Sequence, residues 1–202
     1  MASTRQAIPD TVRSSPGPEP GSSKGVLTPS RTMTTTDRAM PPLQADERST
    51  LESWLDFYRA TLIMKCDGLT DEQLRTTSVP PSPLTLLGLV QHMAEVERNW
   101  FRRVLLGEQM SPIYDPAADP HGQDGGFDLV DGVTFATARA TWDAEVAHAG
   151  ANCSMRGLDE TSPFMGGQVS LRWIYHHMTG EYARHAGHAD LIRERIDGVT
   201  GV

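Results

Sequence analysis

The stretch QVSLRWIYHHMTGEYARHAGHADLIRERID, residues 168–197, decides how the rest of the chain is read. Leu171, Ile174, Tyr175, Met178, Tyr182, Ala189, Ile192 and Ile196 recur at the 3.6-residue period of a helix that buries one face. Beside that stripe run His177, Glu181, His185 and His188. Positions three or four apart on a helix stand one above the other, with Cβ atoms about 5–6 Å apart. Glu181 and His185 can therefore address one ion from one helix, while His177 and His188 extend the polar seam by a turn in either direction. Ser170 or Gln168 is the expected cap.

Three further amphipathic segments precede this helix. In residues 45–67, Leu51, Trp54, Leu55, Tyr58, Leu62 and Cys66 share a face, and Gly68 supplies a C-terminal stop. Thr70 and Gln73 have the spacing of a capping box opening a short turn. The run SVPPSP that follows is an extended connector, because residues before proline avoid the α region. In residues 85–107 the stripe is Leu86, Leu89, Met93, Val96 and Trp100, with His92 beside it and Gly107 at the end. In residues 134–151 it is Phe135, Ala138, Trp142, Val146 and Ala149. Residues 108–130 form a Pro/Gly/Asp-rich loop whose length fits a lid or a rim. No segment reads as a strand, and GLDETSPFMGGQVS at residues 157–170 reads as a polar loop. Four amphipathic helices imply an all-α fold, a four-helix bundle over residues 43–202.

Residues 1–42 carry seven prolines and little apolar periodicity, so they are expected to be a disordered tail. Translation beginning at Met33 or Met40 is an alternative reading of that tail. A net charge of −8 and the lack of any Lys/Arg-rich run exclude a nucleic-acid groove. No apolar run approaches the roughly 18 residues of a membrane span, and no secretory h-region is present. Two cysteines, Cys66 and Cys153, make neither a disulfide framework nor a CxxC pair, and the expected setting is a reduced cytoplasm. Neither is flanked by the cationic groups that activate a thiol, and Cys66 falls on an apolar face. A homodimer is left open.

A mononuclear metal site needs ligands converging from at least two elements. His92 is the natural third partner for Glu181 and His185. One carboxylate and two imidazoles suit Zn²⁺ first, then Ni²⁺, Fe²⁺ or Mn²⁺, with coordination positions left for water or substrate. His188 is expected beside the ligands as a proton acceptor. The competing readings are ordinary ones. His92 can be a hydrogen-bonded core-edge residue, and Glu181 can pair with Arg184 or Arg98. His148 and His176 read as surface groups, and His121 as part of the loop. A di-iron centre is disfavoured, since the His92–Glu95 order is reversed and carboxylates are too few.

The segments LTLLGLVQHMAEVERNWF and YHHMTGEYARHAGHADLIRERIDG together resemble the DinB/YfiT-like superfamily, closest to its actinobacterial branch of single-domain proteins similar to mycothiol-dependent enzymes. The resemblance runs from about Glu47 to Gly198. It implies a four-helix bundle holding a divalent metal, commonly by three histidines, at positions matching His92, Glu181 and His185. Glu181 departs from the all-histidine pattern. Mycothiol-dependent maleylpyruvate isomerase, a member that also carries Glu there, has an extra C-terminal domain not found here. What the resemblance implies is a transferase joining a small thiol, such as mycothiol, to an electrophilic substrate. A hydrolase using metal-bound water and a non-enzymatic metal- or ligand-binding stress protein are the alternatives.

Overall fold

The computed structural model describes residues 38–114 and 125–200. Residues 1–37 of the tail expected to be disordered over 1–42, and His121 with its part of the long loop, lie outside the described residues. The protein is mostly helical, with helices α1 (Glu47–Met64), α2 (Asp71–Leu74), α3 (Leu86–Arg98), α4 (Phe135–Ser154) and α5 (Leu171–Asp197). Local chemistry sets the helix starts. Asp46, Thr70, Thr85, Thr134 and Ser170 each accept a backbone N–H of the first turn on a side-chain oxygen, satisfying donors that the helix itself cannot. Thr70 with Gln73, and Thr134 with Thr137, complete reciprocal capping boxes. Gly198, at φ 78°, closes α5 in the left-handed conformation that glycine adopts without steric cost.

α1 packs along α5, and α4 along α3, with α3 also against α5. The core runs between them through Leu55, Leu62, Leu89, Met93, Ile174 and Met178, each fully buried. Ahead of α1, Arg38 lies over the Phe57 ring at 4.4 Å and donates to Thr61 Oγ1 at 3.1 Å.

Three features differ from the sequence reading. First, α3 is buried along nearly all of its circumference rather than on one stripe. It is covered by α4, by α5 and by the chain around Gly126, so Gln91, Glu95 and Glu97 are enclosed as well. Second, the helix continues into a π-helical segment, Asn99–Val104. There both Trp100 and Phe101 are buried: Trp100 sits against His177, and Phe101 against Tyr175. Third, the polar loop before α5 contains an antiparallel hairpin, β1 (Thr161–Phe164) and β2 (Gly167–Ser170), where no strand was expected. Pro163 and Gly167 are poor strand formers, which hid it. Its two-residue turn, Met165 and Gly166, has φ of 47° and 77°, the pair of positive angles that matches the twist of a hairpin.

One polar network joins all four long helices. Arg59 of α1 grips Glu97 of α3 through Nε (2.8 Å) and a terminal nitrogen (2.7 Å). The Tyr182 hydroxyl of α5 donates to the same Glu97 carboxylate at 2.6 Å. Trp142 of α4 donates its indole N–H to the Tyr182 hydroxyl at 2.8 Å. Burial, and then the neighbouring Glu97 charge, push the Tyr182 hydroxyl far up from its ordinary range, so it stays a donor.

Removing Arg59 leaves Glu97, at 0% exposure, charged and without its cation. Arg59→Ala is therefore expected to lower stability by about 3–5 kcal/mol in urea unfolding. Asp56→Ala removes a surface partner of the same arginine and is expected to cost less than about 1 kcal/mol. Equal losses in the two variants would contradict a structural role for the network.

Candidate metal centre

α3 carries His92, and α5 carries Glu181 and His185. Among the described residues these three bring one ligand atom each to within 4.8 Å of one another. Ligands bound at about 2.0–2.2 Å to a common ion stand roughly 3–4 Å apart, so small side-chain adjustments suffice to close the cluster.

The imidazole of His92 is set from both sides. Its Nδ1 lies 2.8 Å from the Gly125 carbonyl oxygen, which can only accept, so Nδ1 carries the proton and Nε2 keeps its lone pair. The Phe127 ring stacks on it at 3.8 Å, nearly parallel. Both contacts come from the chain that follows the long loop, and glycine lets that chain approach. A Cβ on Gly126, at φ 87°, would stand 2.8 Å from the backbone of Gln91 and His92; one on Gly88 would stand 2.5 Å from the Phe127 carbonyl oxygen.

His185 is 5% exposed, and its Nε2 is 3.6 Å from Glu181 Oε2. Burial, and then the adjoining His92 and His188, push His185 down to about 3. Burial also holds His92 below the usual histidine range. Both rings are thus neutral at neutral pH, the state in which an imidazole donates a lone pair to a metal. The second oxygen of Glu181 faces Arg184 at 3.3 Å and His177 at 3.8 Å. The donors present, two neutral imidazoles and one carboxylate on two rigid helices, fit a divalent ion.

His188 is half-buried, with Nδ1 at 3.3 Å from His185 Nδ1. His177 is held in a cluster of rings. It stacks on Trp173 at 5.1 Å and meets Trp100, from the π-helical segment, at 4.3 Å. Trp173 is 47% exposed, so this aromatic shelf opens to solvent next to Glu181. His148 and His176 are exposed. Arg98 is engaged by Glu145 at 2.6 Å, and Arg184 is the cation beside Glu181. Glu95 points elsewhere, accepting the Ile113 N–H at 2.6 Å. Burial pushes the Cys66 thiol up to about 12 and the Cys153 thiol up to about 11, which leaves neither as a nucleophile at neutral pH.

Two parts of the site escaped the sequence reading. The contact of Gly125–Phe127 with His92 had a trace in the adjacent glycines before Phe127 and in Gly88 inside a helix. The shelf around His177 had none, because it depends on the hairpin and the π-helical segment.

The His–Glu–His cluster spanning two helices defines a candidate divalent-metal protein. The family model of Mycothiol-S-transferase matches residues 50–198, about three quarters of the chain, and the chain belongs to that family. A comparison with individually curated proteins gave no match.

Gly88→Ala and Gly126→Ala each force the chain at Phe127 away from α3. Both are expected to reduce metal affinity at least tenfold, read by competition with a chromogenic chelator. The helical circular dichroism should be retained, because alanine favours a helix over glycine at Gly88. Unchanged affinity in both variants would show that His92 needs no support from this segment.

Proposed function

We propose that the protein is a divalent-metal-dependent thiol S-transferase that joins a low-molecular-weight thiol, mycothiol by its family, to an electrophilic substrate. The observation that carries this reading is the convergence of His92, Glu181 and His185 in a chain of the Mycothiol-S-transferase family. In it, the four long helices form a four-helix bundle of the DinB/YfiT kind over residues 43–202, preceded by a tail. The protein works in a reducing cytoplasm, in keeping with two free, buried cysteines.

A bound divalent ion, Zn²⁺ first and otherwise Ni²⁺, Fe²⁺ or Mn²⁺, supplies the positive charge that lets a coordinated thiol lose its proton at neutral pH. The protein supplies the rest. His92 presents Nε2 because Gly125 occupies its other nitrogen and Phe127 holds its plane. Glu181 brings one negative charge to the ion, tempered by Arg184. His188 stands beside His185, and its half-exposed imidazole accepts the thiol proton and passes it to solvent.

A second reading keeps the ligands and changes the nucleophile. Two histidines and a glutamate are also the donor set of zinc hydrolases that activate water. Dependence on thiol separates the two readings.

Purified protein is expected to hold about one equivalent of divalent metal by plasma mass spectrometry, lost in both His92→Ala and His185→Ala. Turnover of an electrophile should require added mycothiol. The same turnover without thiol would overturn the transferase in favour of the hydrolase. A folded wild type that takes up no metal on reconstitution would overturn both. His188→Ala should keep its metal yet lose about 10²–10⁴-fold in kcat, the scale of a lost general base.

A further inference from the structure

α1 packs on α5 and α4 packs on α3, which leaves a trough where α1 and α4 pass one another. It holds a cavity of about 350 Å³, within the range of small-ligand sites. None of its lining residues belongs to the His92–Glu181–His185 cluster. The α5 residue that reaches it, Tyr175, lies six to ten positions before Glu181 and His185, about 9–15 Å along the helix.

We propose that this trough is a second binding site, for a small organic cation with an ammonium head and an apolar or aromatic body. The rim is acidic. Glu52 and Asp56 stand one helical turn apart on α1, with side chains 42% and 70% exposed. Glu52 takes both Arg48 and the Tyr175 hydroxyl on Oε1, at 3.1 and 2.8 Å. Asp56 takes Arg59 on Oδ1 at 3.0 Å. Arg59 is itself neutralised by its two-pronged bond to Glu97. Two guanidinium groups, Arg48 and Arg59, thus meet three carboxylates, Glu52, Asp56 and Glu97, and the trough keeps one net negative charge.

The interior is mixed, with the Arg59 guanidinium 5.7 Å from the centre of the Phe101 ring and Cys153 and Ser154 beside apolar side chains. Phe101 and Tyr175 form its floor, and Val146, Ala149 and Gly150 form the α4 wall. Gly150 lies within α4, a little over one turn from its C-terminal end, where glycine weakens the helix. A Cβ there would meet nothing within 4 Å, so the missing side chain leaves the cavity open. A cation entering ammonium-outermost places its charge between the two carboxylates and its body along the α4 wall at Val146 and Gly150.

The probe is phenethylammonium, with 3-phenylpropionate as its counterpart of the same ring and chain but opposite charge. Both are titrated into the full-length ¹⁵N-labelled protein. Phenethylammonium should shift the amides of Ala149, Gly150 and Cys153 saturably, and 3-phenylpropionate should not. Gly150→Leu, which fills the space with a better helix former, should abolish the shifts on its neighbours. Glu52→Gln combined with Asp56→Asn, both at the solvent-facing rim, should raise Kd at least tenfold. Equal shifts by the two ions, no saturable shift by phenethylammonium, or undiminished binding in Gly150→Leu would each overturn the proposal.

Discussion

The carboxylate of Glu97 has no access to water, and a charge so placed is tolerated in a protein interior only when it is paired and its remaining lone pairs are occupied. Arg59 supplies the charge in a forked geometry, Tyr182 supplies a further donor, and Trp142 fixes Tyr182 in turn. Each partner comes from a different long helix. The apolar stripes alone would tolerate sliding of one helix along another by a turn, since leucine packs on leucine in many registers. A buried carboxylate does not tolerate it. The network therefore sets the axial registry of α1, α3, α4 and α5, and with it the height at which α5 presents Glu181 and His185 to His92.

Registry brings the three side chains near one another, and steric fit at α3 makes one of them a defined donor. The backbone around Gly126 reaches α3 only where two Cβ atoms are missing, at Gly88 and Gly126. Its consequences are chemical. A carbonyl takes the Nδ1 proton of His92, and an aromatic face fixes the ring. α5 treats His185 in a comparable way, with His188 on one nitrogen and Glu181 near the other. The π-helical segment adds a third constraint, sending Trp100 to the His177 side of α5 and Phe101 to the Tyr175 side. The first helps form the shelf beside Glu181, and the second forms the floor of the acidic trough.

Much of this was legible in the chain. The periodic stripes located four long helices, Thr70 marked the start of α2, and Ser170 was one of the two caps expected for α5. Glu181 and His185 were visible as a pair because helix geometry is local. His92 was visible as a histidine beside an apolar stripe. The hairpin at 161–170 was not, because four-residue strands interrupted by proline and glycine leave no alternating pattern. Nor was the enclosure of Glu95 and Glu97, since charged residues on a helix read as solvated until the surrounding elements are known.

What the sequence determined by itself is therefore whatever depends on near neighbours in the chain: helix positions, the capping box at Thr70, the spacing of Glu181 and His185, and the lack of a Lys/Arg-rich run or of an apolar run long enough to cross a membrane. Only the tertiary structure decided which nitrogen of His92 is free, which cation faces Glu181, and that Arg59 and Glu97 share one buried bond. Those outcomes rest on contacts between residues tens of positions apart. Such contacts follow from how helices pack, and packing leaves no period in the sequence to read.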